Sequence, residues 1–368
     1  MQTQDKRAQN MRAEDTRIDT SLWRAILSPD GDLPEQWQAG LPLEDAQRLA
    51  DLVTPALAAH CLASAENRLG KTFLDADIVK QSLLINRFNG GVQRRWMQAI
   101  ADTGIPVVYL KGFAFAHSLY PDPDIRTIGD IDILVRQADL EALLAFLMDH
   151  GFEFDPLPMA PWGFISDASF MPLVSAEGDC SIDIHVQPDC YPAYRSMTVE
   201  DVFAKSTIQT IAGVEVNIPC LEHAMLLCLT NAAKDKFGIF SVRKFVDIAM
   251  LLKSGLPIDW DVVERLAGSG SFLKPARVVF SLLRRLGMPE GTVPGSLCQA
   301  PSGLAARPFE RLVLDYALMF ATAPTAVRVF EREMLLCTEP GVALHNTGLR
   351  LKGLVRRKNG LPDGYSAP

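Results

Sequence analysis

Two aspartates stand one residue apart in the apolar run RTIGDIDILV, from Arg126 to Val135. A strand turns successive side chains to opposite faces, so Asp130 and Asp132 share one face and Ile131 and Ile133 the other. At roughly 3.3 Å of rise per residue the two carboxylates come within about 7 Å. Like charges that close repel unless water surrounds them or a cation lies between them. About fifty residues later SIDIHVQ repeats the pattern, with Asp183 and His185 on one face and Ile182, Ile184 and Val186 on the other. Two such strands in one sheet can bring three carboxylates to one point, a cluster that divalent cations stabilise.

Magnesium prefers hard oxygen ligands and is commonly held by one or two carboxylates together with substrate phosphates. Two such ions about 3.5 to 4 Å apart can stabilise both the attacking and the leaving oxygen of an in-line phosphoryl displacement. Asp130, Asp132 and Asp183 are therefore the expected ligands of Mg²⁺ or Mn²⁺, with two ions as the expected number. Zinc fits less well, because His185 is the only nearby nitrogen ligand and no cysteine is suitably spaced. The competing reading is a plain acidic face on a half-exposed sheet. His185 itself reads either as an aid to proton transfer or nucleotide contact, or as a histidine bonded only to its neighbours.

The elements that would position these groups follow from periodicity. IPVVYL, just before the acidic pair, is a continuous apolar run suited to a buried strand. Lys111 and Gly112 then open a helical segment, FAFAHSLY, which PDPD ends. Free N–H groups at such a junction attract phosphate, glycine allows close approach, and lysine adds a point charge. The loop is not a Walker A motif, and glycine as a simple turn residue is the alternative. Arg126, four residues before Asp130, could reach a triphosphate through paired hydrogen bonds.

DLEALLAFLMDHGF reads as a helix with Asp139 as N-cap and Gly151 as stop. ASFMPLV, SIDIHV and TIQTIAGVEVNI read as further strands, the last bent around an Ala-Gly turn. Apolar residues recur at helical spacing on both sides of this stretch, with LPLED and FLDAD as start signals on the N-terminal side. The expected division is a disordered arm at 1–20, a helical region at 21–101, an α/β core at 102–219, a C-terminal helical domain at 220–349 and a basic tail at 350–368.

The 368 residues are 48% hydrophobic and 22% charged, enough to bury a sizeable core, and two or three domains are the length-based expectation. A net charge of −8 argues against long nucleic acid as a partner. Seven scattered cysteines with no C-x-x-C pair predict reduced thiols in a cytoplasmic protein. No apolar run is long enough to predict a membrane span, and the charged N-terminus lacks the core of a signal peptide.

Lys-Gly after an apolar strand, a LYPDP turn, R-x-x-G-D-I-D-I-L-V and a later D-I-H strand together resemble a group of uncharacterised bacterial nucleotidyltransferases within the DNA polymerase β-like superfamily. The resemblance runs from about Asn86 to Val186, and more loosely to about Ser254. It implies an α+β fold: a small mixed nucleotidyltransferase sheet flanked by N-terminal and C-terminal helical regions. It implies that Asp130 and Asp132 bind metals and nucleotide phosphates, and that Asp183 helps activate an acceptor hydroxyl. Lys111 and Gly112 stand where other members carry a Gly-Ser phosphate turn, and Arg126 and Gly129 match the family pattern. Relatives often carry histidines in the helix after the sheet, whereas this chain has Asn231, Lys234 and Lys236. Lys234 is a candidate phosphate ligand there, and Asp247 in the next helix reads as an ordinary polar position on an amphipathic surface.

The expected function is transfer of a nucleoside monophosphate from an NTP such as ATP to an acceptor hydroxyl, with pyrophosphate leaving. The acceptor, whether protein, peptide, sugar or small molecule, is not written in the sequence. Two rivals stand beside it. One is a catalytically inactive nucleotide-binding or protein-interaction scaffold. The other is an aspartate-nucleophile phosphatase, whose D-x-D usually sits on the first strand and continues with Thr or Val, where Leu134 and Val135 follow here.

Overall fold

A computed structural model describes residues 19–28, 43–154, 172–189 and 192–336, with isolated positions at 341, 344 and 348. Most of the expected N-terminal arm, the first part of ASFMPLV, Cys190, Cys337, His345 and the basic tail lie outside the described residues.

Four helices open the described chain: α1 (Ser21–Leu27), α2 (Leu43–Val53), α3 (Pro55–Leu69) and α4 (Ala76–Asp102). The FLDAD signal works as expected, since the Asp75 carboxylate caps α4 by accepting from the backbone N–H groups of Asp77 and Ile78. The sheet region contains β1 (Val107–Tyr109), α5 (Lys111–Ser118), β2 (Ile131–Val135), α6 (Leu140–Asp149), β3 (Glu153–Phe154), β4 (Leu173–Val174), β5 (Ser181–His185), α7 (Val199–Lys205), β6 (Thr207–Ile211) and β7 (Val214–Ile218). Six helices follow: α8 (Leu221–Lys234), α9 (Val242–Lys253), α10 (Trp260–Ser269), α11 (Leu273–Leu286), α12 (Ala306–Ala317) and α13 (Ala326–Leu336). Among the described residues no helix is long and apolar enough to cross a membrane.

The fold is α+β with one mixed sheet of seven strands in the order β3-β4-β5-β2-β1-β7-β6. β2 runs antiparallel to β1 and parallel to β5. The hairpin β6–β7 turns at Ala212 and Gly213, both at positive φ, the backbone that a two-residue turn needs to match strand twist. Asp139 occupies the first position before α6 but makes no side-chain cap hydrogen bond, contrary to expectation, because its own backbone is already helical. Two short elements, β3 and α7, carry no expectation from periodicity. α7 is set instead by a capping box between Thr198 and Asp201.

The two sheet faces bury different partners. Ile131, Ile133, Ile182 and Ile184 pack with Phe113, Leu143 and Leu147 on one side. Val108, Leu110 and Leu134 point the other way, into a core that also holds residues of α1–α3 and α8–α12. The helices before and after the sheet thus share one core, and Trp23 in α1 donates its indole N–H to the Tyr316 carbonyl in α12 at 2.8 Å.

Candidate metal and nucleotide site

β2 and β5 lie side by side in parallel with Asp132 opposite Asp183, so the two acidic strands of the sequence meet in register. Both carboxylates occupy the face that looks toward the helical core, because their isoleucine neighbours fill the other. Two residues further along each strand, and so on the same face, Leu134 lies opposite His185. The Nε2 of His185 is 2.9 Å from Asp132 Oδ1 and 3.2 Å from Asp183 Oδ2. One ligand atom from each of Asp132, Asp183 and His185 lies within 4.8 Å of the others. The sequence pattern names three aspartates, whereas the tight group is two aspartates and the histidine. Asp130 precedes β2 in a bend and lines the same cleft beside them.

Lys111 completes the arrangement from the end of β1. Its ammonium donates to Asp132 Oδ1 at 2.5 Å and lies 3.0 Å from His185 Nε2. Its backbone sits at φ +49°, a left-handed conformation that disfavours a Cβ by about 1–2 kcal/mol. Its salt bridge to Asp132 anchors the side chain there. Burial would lower the Lys111 pKa, but the carboxylates of Asp132, Asp183 and Asp189 outweigh it and raise it. Burial would raise Asp132, yet Lys111 and His185 hold it well below the carboxylate range. Burial and Lys111 would lower His185, but Asp183 and the hydrogen bonds to both aspartates raise it. Asp130 differs: the neighbouring Asp132 charge, then loss of water, push it up to about 6.

The loop carrying Arg126 to Gly129 is held from both helical regions. Asn86 of α4 donates to the Asp124 carbonyl at 2.7 Å and Gln93 to the Ile128 carbonyl at 3.1 Å. Arg126 pairs with Asp247 of α9 through two hydrogen bonds, Nε to Oδ1 at 2.9 Å and Nη2 to Oδ2 at 2.8 Å, and also donates to the Thr127 carbonyl. The Tyr120 hydroxyl donates to the same Asp247 at 2.8 Å. Asp247 is therefore not a surface position: it is 1% exposed and anchors the loop, because a buried carboxylate must be paired. Three donors of Arg126 are engaged, so a triphosphate contact from it would use its remaining N–H groups.

Lys111, Gly112, Arg126, Gly129, Asp130, Asp132, Asp183 and Lys234 all line one cleft of about 360 Å³. His185 lies beneath it, 2% exposed. A Cβ on Gly112 would touch the Arg126 guanidinium at 3.6 Å, while one on Gly129 would meet nothing, so the backbone at Gly129 is open to a ligand. α8, α9 and the turn between them line the helical side of the cleft with Asn231, Lys234, Phe240, Arg243 and Lys244. Sequence reasoning missed Arg243. Its available signal was a cation in the first turn of an amphipathic helix, where the positive end of the dipole disfavours it.

The donor set fits a divalent cation of the Mg²⁺ or Mn²⁺ kind. Hard carboxylate oxygens and an imidazole converge, and Asp183 Oδ1 is buried with no hydrogen-bond partner among the described residues. Asp132 Oδ1 is already shared by Lys111 and His185, so an ion at that oxygen competes with both.

A mixed sheet whose adjacent parallel strands present paired aspartates to a cleft defines a nucleotidyltransferase type of domain. The family model described as uncharacterised nucleotidyltransferase matches residues 34–287, and the chain belongs to that family. The matched span includes both walls of the cleft. No curated protein matches the chain.

Proposed function

We propose that the protein is a metal-dependent nucleotidyltransferase that moves a nucleoside monophosphate from an NTP to an acceptor hydroxyl. The observation that carries this reading is the direct pairing of Asp132 with Asp183 across β2 and β5, at the floor of a cleft that also holds Asp130. Asp130, Asp132 and Asp183 would hold Mg²⁺ or Mn²⁺, which would neutralise triphosphate charge and lower the acceptor pKa. The acceptor oxygen attacks the α-phosphorus, the bond to the α–β bridging oxygen breaks, and pyrophosphate leaves with that oxygen. Asp183 takes the hydroxyl proton, with His185 fixing its carboxylate through the 3.2 Å contact. Lys111 fixes Asp132, and the open backbone at Gly129 gives phosphate oxygens room to approach. Positioning and charge neutralisation supply most of the rate.

Incubation with each α-labelled NTP, Mg²⁺ or Mn²⁺ and cell extract tests this. Label transferred with pyrophosphate release, and lost in Asp132→Asn and Asp183→Asn with folding intact, is the expected result. Retained transfer in both variants, or release of orthophosphate alone, excludes the assignment.

One observation favours a second reading. Lys111 and His185 neutralise Asp132 without any metal, which suits a cleft that binds nucleotide and does not turn it over. Thermal stabilisation by NTP with no labelled product from any acceptor source would select that reading.

A further inference from the structure

The turn between α8 and α9 is closed in an unusual way. The Lys236 N–H donates to the Ala233 carbonyl at 2.8 Å and the Phe237 N–H to the Ala232 carbonyl at 2.9 Å. Those two bonds are the Schellman ending of a helix, whose left-handed position is usually glycine. Here lysine holds it at φ +53°, and Phe237 follows at φ +49°. Phe237 is fixed by full burial in the core. Lys236 is fixed from α13: its Nζ lies 2.7 Å from Glu333 Oε1, with both side chains largely covered. Beside it the buried Arg332 donates to Asp315 Oδ2 of α12 at 2.8 Å and, at 3.4 Å, to the Lys236 carbonyl. At Gly238 a Cβ would stand 3.0 Å from the Asp235 carbonyl and 3.9 Å from Arg332 Nη1, so the turn runs close against α13. Glycine at 236 would relieve the backbone, and lysine gives up that relief for a contact with α13. Residues at both ends of the turn, Asp235 and the 75% exposed Phe240, line the cleft, whereas Lys236 does not. α12 and α13 lie beyond the span 34–287 that the family model matches.

We propose that α13 braces the helical side of the cleft, with Lys236 as its positioning residue: Glu333 and Arg332 grip the α8–α9 turn and thereby fix Asp235 and Phe240 at the cleft. Asp235 in turn pairs with Lys244 of α9, so the grip on one residue sets the spacing of both helices. Arg332 can hold the turn firmly because Asp315 holds Arg332, and Leu335 anchors the same helix in the core. The brace rests on the nucleotidyl-transfer reading only for the identity of the ligand whose fit it controls.

The test uses the full chain and two readouts: calorimetric affinity for MgATP, and amide hydrogen exchange of residues 235–241. Lys236→Gly is expected to leave Tm unchanged or raised, since glycine suits the backbone and a partly exposed ion pair contributes little. It should nonetheless weaken MgATP binding about threefold to tenfold, the scale of coupling through residues that touch no ligand. A merely structural lysine gives the reverse, a lower Tm with unchanged affinity. Glu333→Lys should weaken binding and speed exchange at 235–241, and the charge swap that adds Lys236→Glu should restore both. Glu310→Gln, at a surface pair with Arg285, is the control and changes neither. Should Glu333→Lys fail to fold, Glu333→Gln carries the same comparison without the swap. Wild-type MgATP affinity in Lys236→Gly and in the Glu333 variant overturns the brace, even where nucleotidyl transfer is observed. A wild-type chain that binds no MgATP removes the nucleotide reading instead. Exchange then decides the brace: faster at 235–241 in the Glu333 variant supports it, and unchanged exchange overturns it.

Discussion

The two walls of the cleft handle charge in opposite ways. On the strand wall Asp132 is enclosed by Lys111 and His185, each within hydrogen-bond distance, and Arg126 behind it is paired with Asp247. On the helical wall Arg243 keeps a buried N–H with no acceptor. Around Asp132 and Arg126 the strand wall pairs its charges within the protein, with Asp183 Oδ1 the buried exception, and breaking the Arg126–Asp247 pair should cost stability. Arg243 is only partly buried and makes no ion pair through that N–H, so altering it should cost less stability than breaking the Arg126–Asp247 pair.

Asp247→Ala tests the first half of that contrast most severely. It leaves the Arg126 guanidinium buried and unpaired, and removing one partner of a buried ion pair costs about 3–5 kcal/mol. Thermal unfolding should show a large fall in Tm, and Arg126→Ala should destabilise by a similar amount. In a double-mutant cycle the two losses should not add. Additive losses would mean that the pair is not the anchor described.

Asp132→Asn should reduce nucleotidyl transfer by about a thousandfold or more, on the scale of losing a principal electrostatic group from a site. Arg243→Ala should leave the free energy of unfolding within about 1 kcal/mol of wild type, the ordinary range for a substitution that breaks no pair. A large fall in Tm for Arg243→Ala would erase the contrast between the walls.

The pH dependence is centred on Asp130. Its folded pKa of about 6 lies above the ordinary 3.8, so between those values the folded state binds more protons than the unfolded one. Stability of the metal-free protein therefore contains a contribution that is lost as pH rises from 3.8 to about 6. Mn²⁺ binding should run the other way, weakening as pH falls through about 6 and releasing a proton on binding near that pH. Titration of Mn²⁺ affinity from pH 5 to 8, flat in Asp130→Asn, checks it.

Gly112→Ala is the mildest change. The new methyl would rest at ordinary contact distance on the Arg126 guanidinium, so a stability change of less than about 1 kcal/mol is expected. A larger loss, read by Tm, would show that the backbone at Gly112 must approach something closer than its arginine neighbour.

Much of the strand wall was legible before folding. The alternation in GDIDILV and SIDIHV assigns Asp132, Asp183 and His185 to one face of each strand, because a period of two leaves no other choice once the isoleucines are buried. Lys111 and Gly112 announce the junction after β1. Asp247 was misread because its helix is amphipathic in pattern, yet the residues on either side, Val246 and Ile248, are both buried. An acid flanked directly by buried apolar residues signals a buried partner, but its identity 121 residues upstream does not follow from spacing. Arg243 was invisible for a related reason: an unpaired cation is recognised only when all its neighbours are known.

Sequence alone determined the local chemistry: which residue types recur at which period, where glycine relieves the backbone, and which faces of two strands carry acid. Those properties depend on covalent geometry and on side-chain alternation within a few residues. Tertiary structure decided the rest. It set β2 beside β5 with Asp132 opposite Asp183, put Lys111 and His185 on one carboxylate oxygen, and gave Asp247 to Arg126 and not to Arg243. Register between distant strands and the pairing of buried charges are settled by which packing leaves the fewest charges unmatched, and that choice involves the whole chain at once.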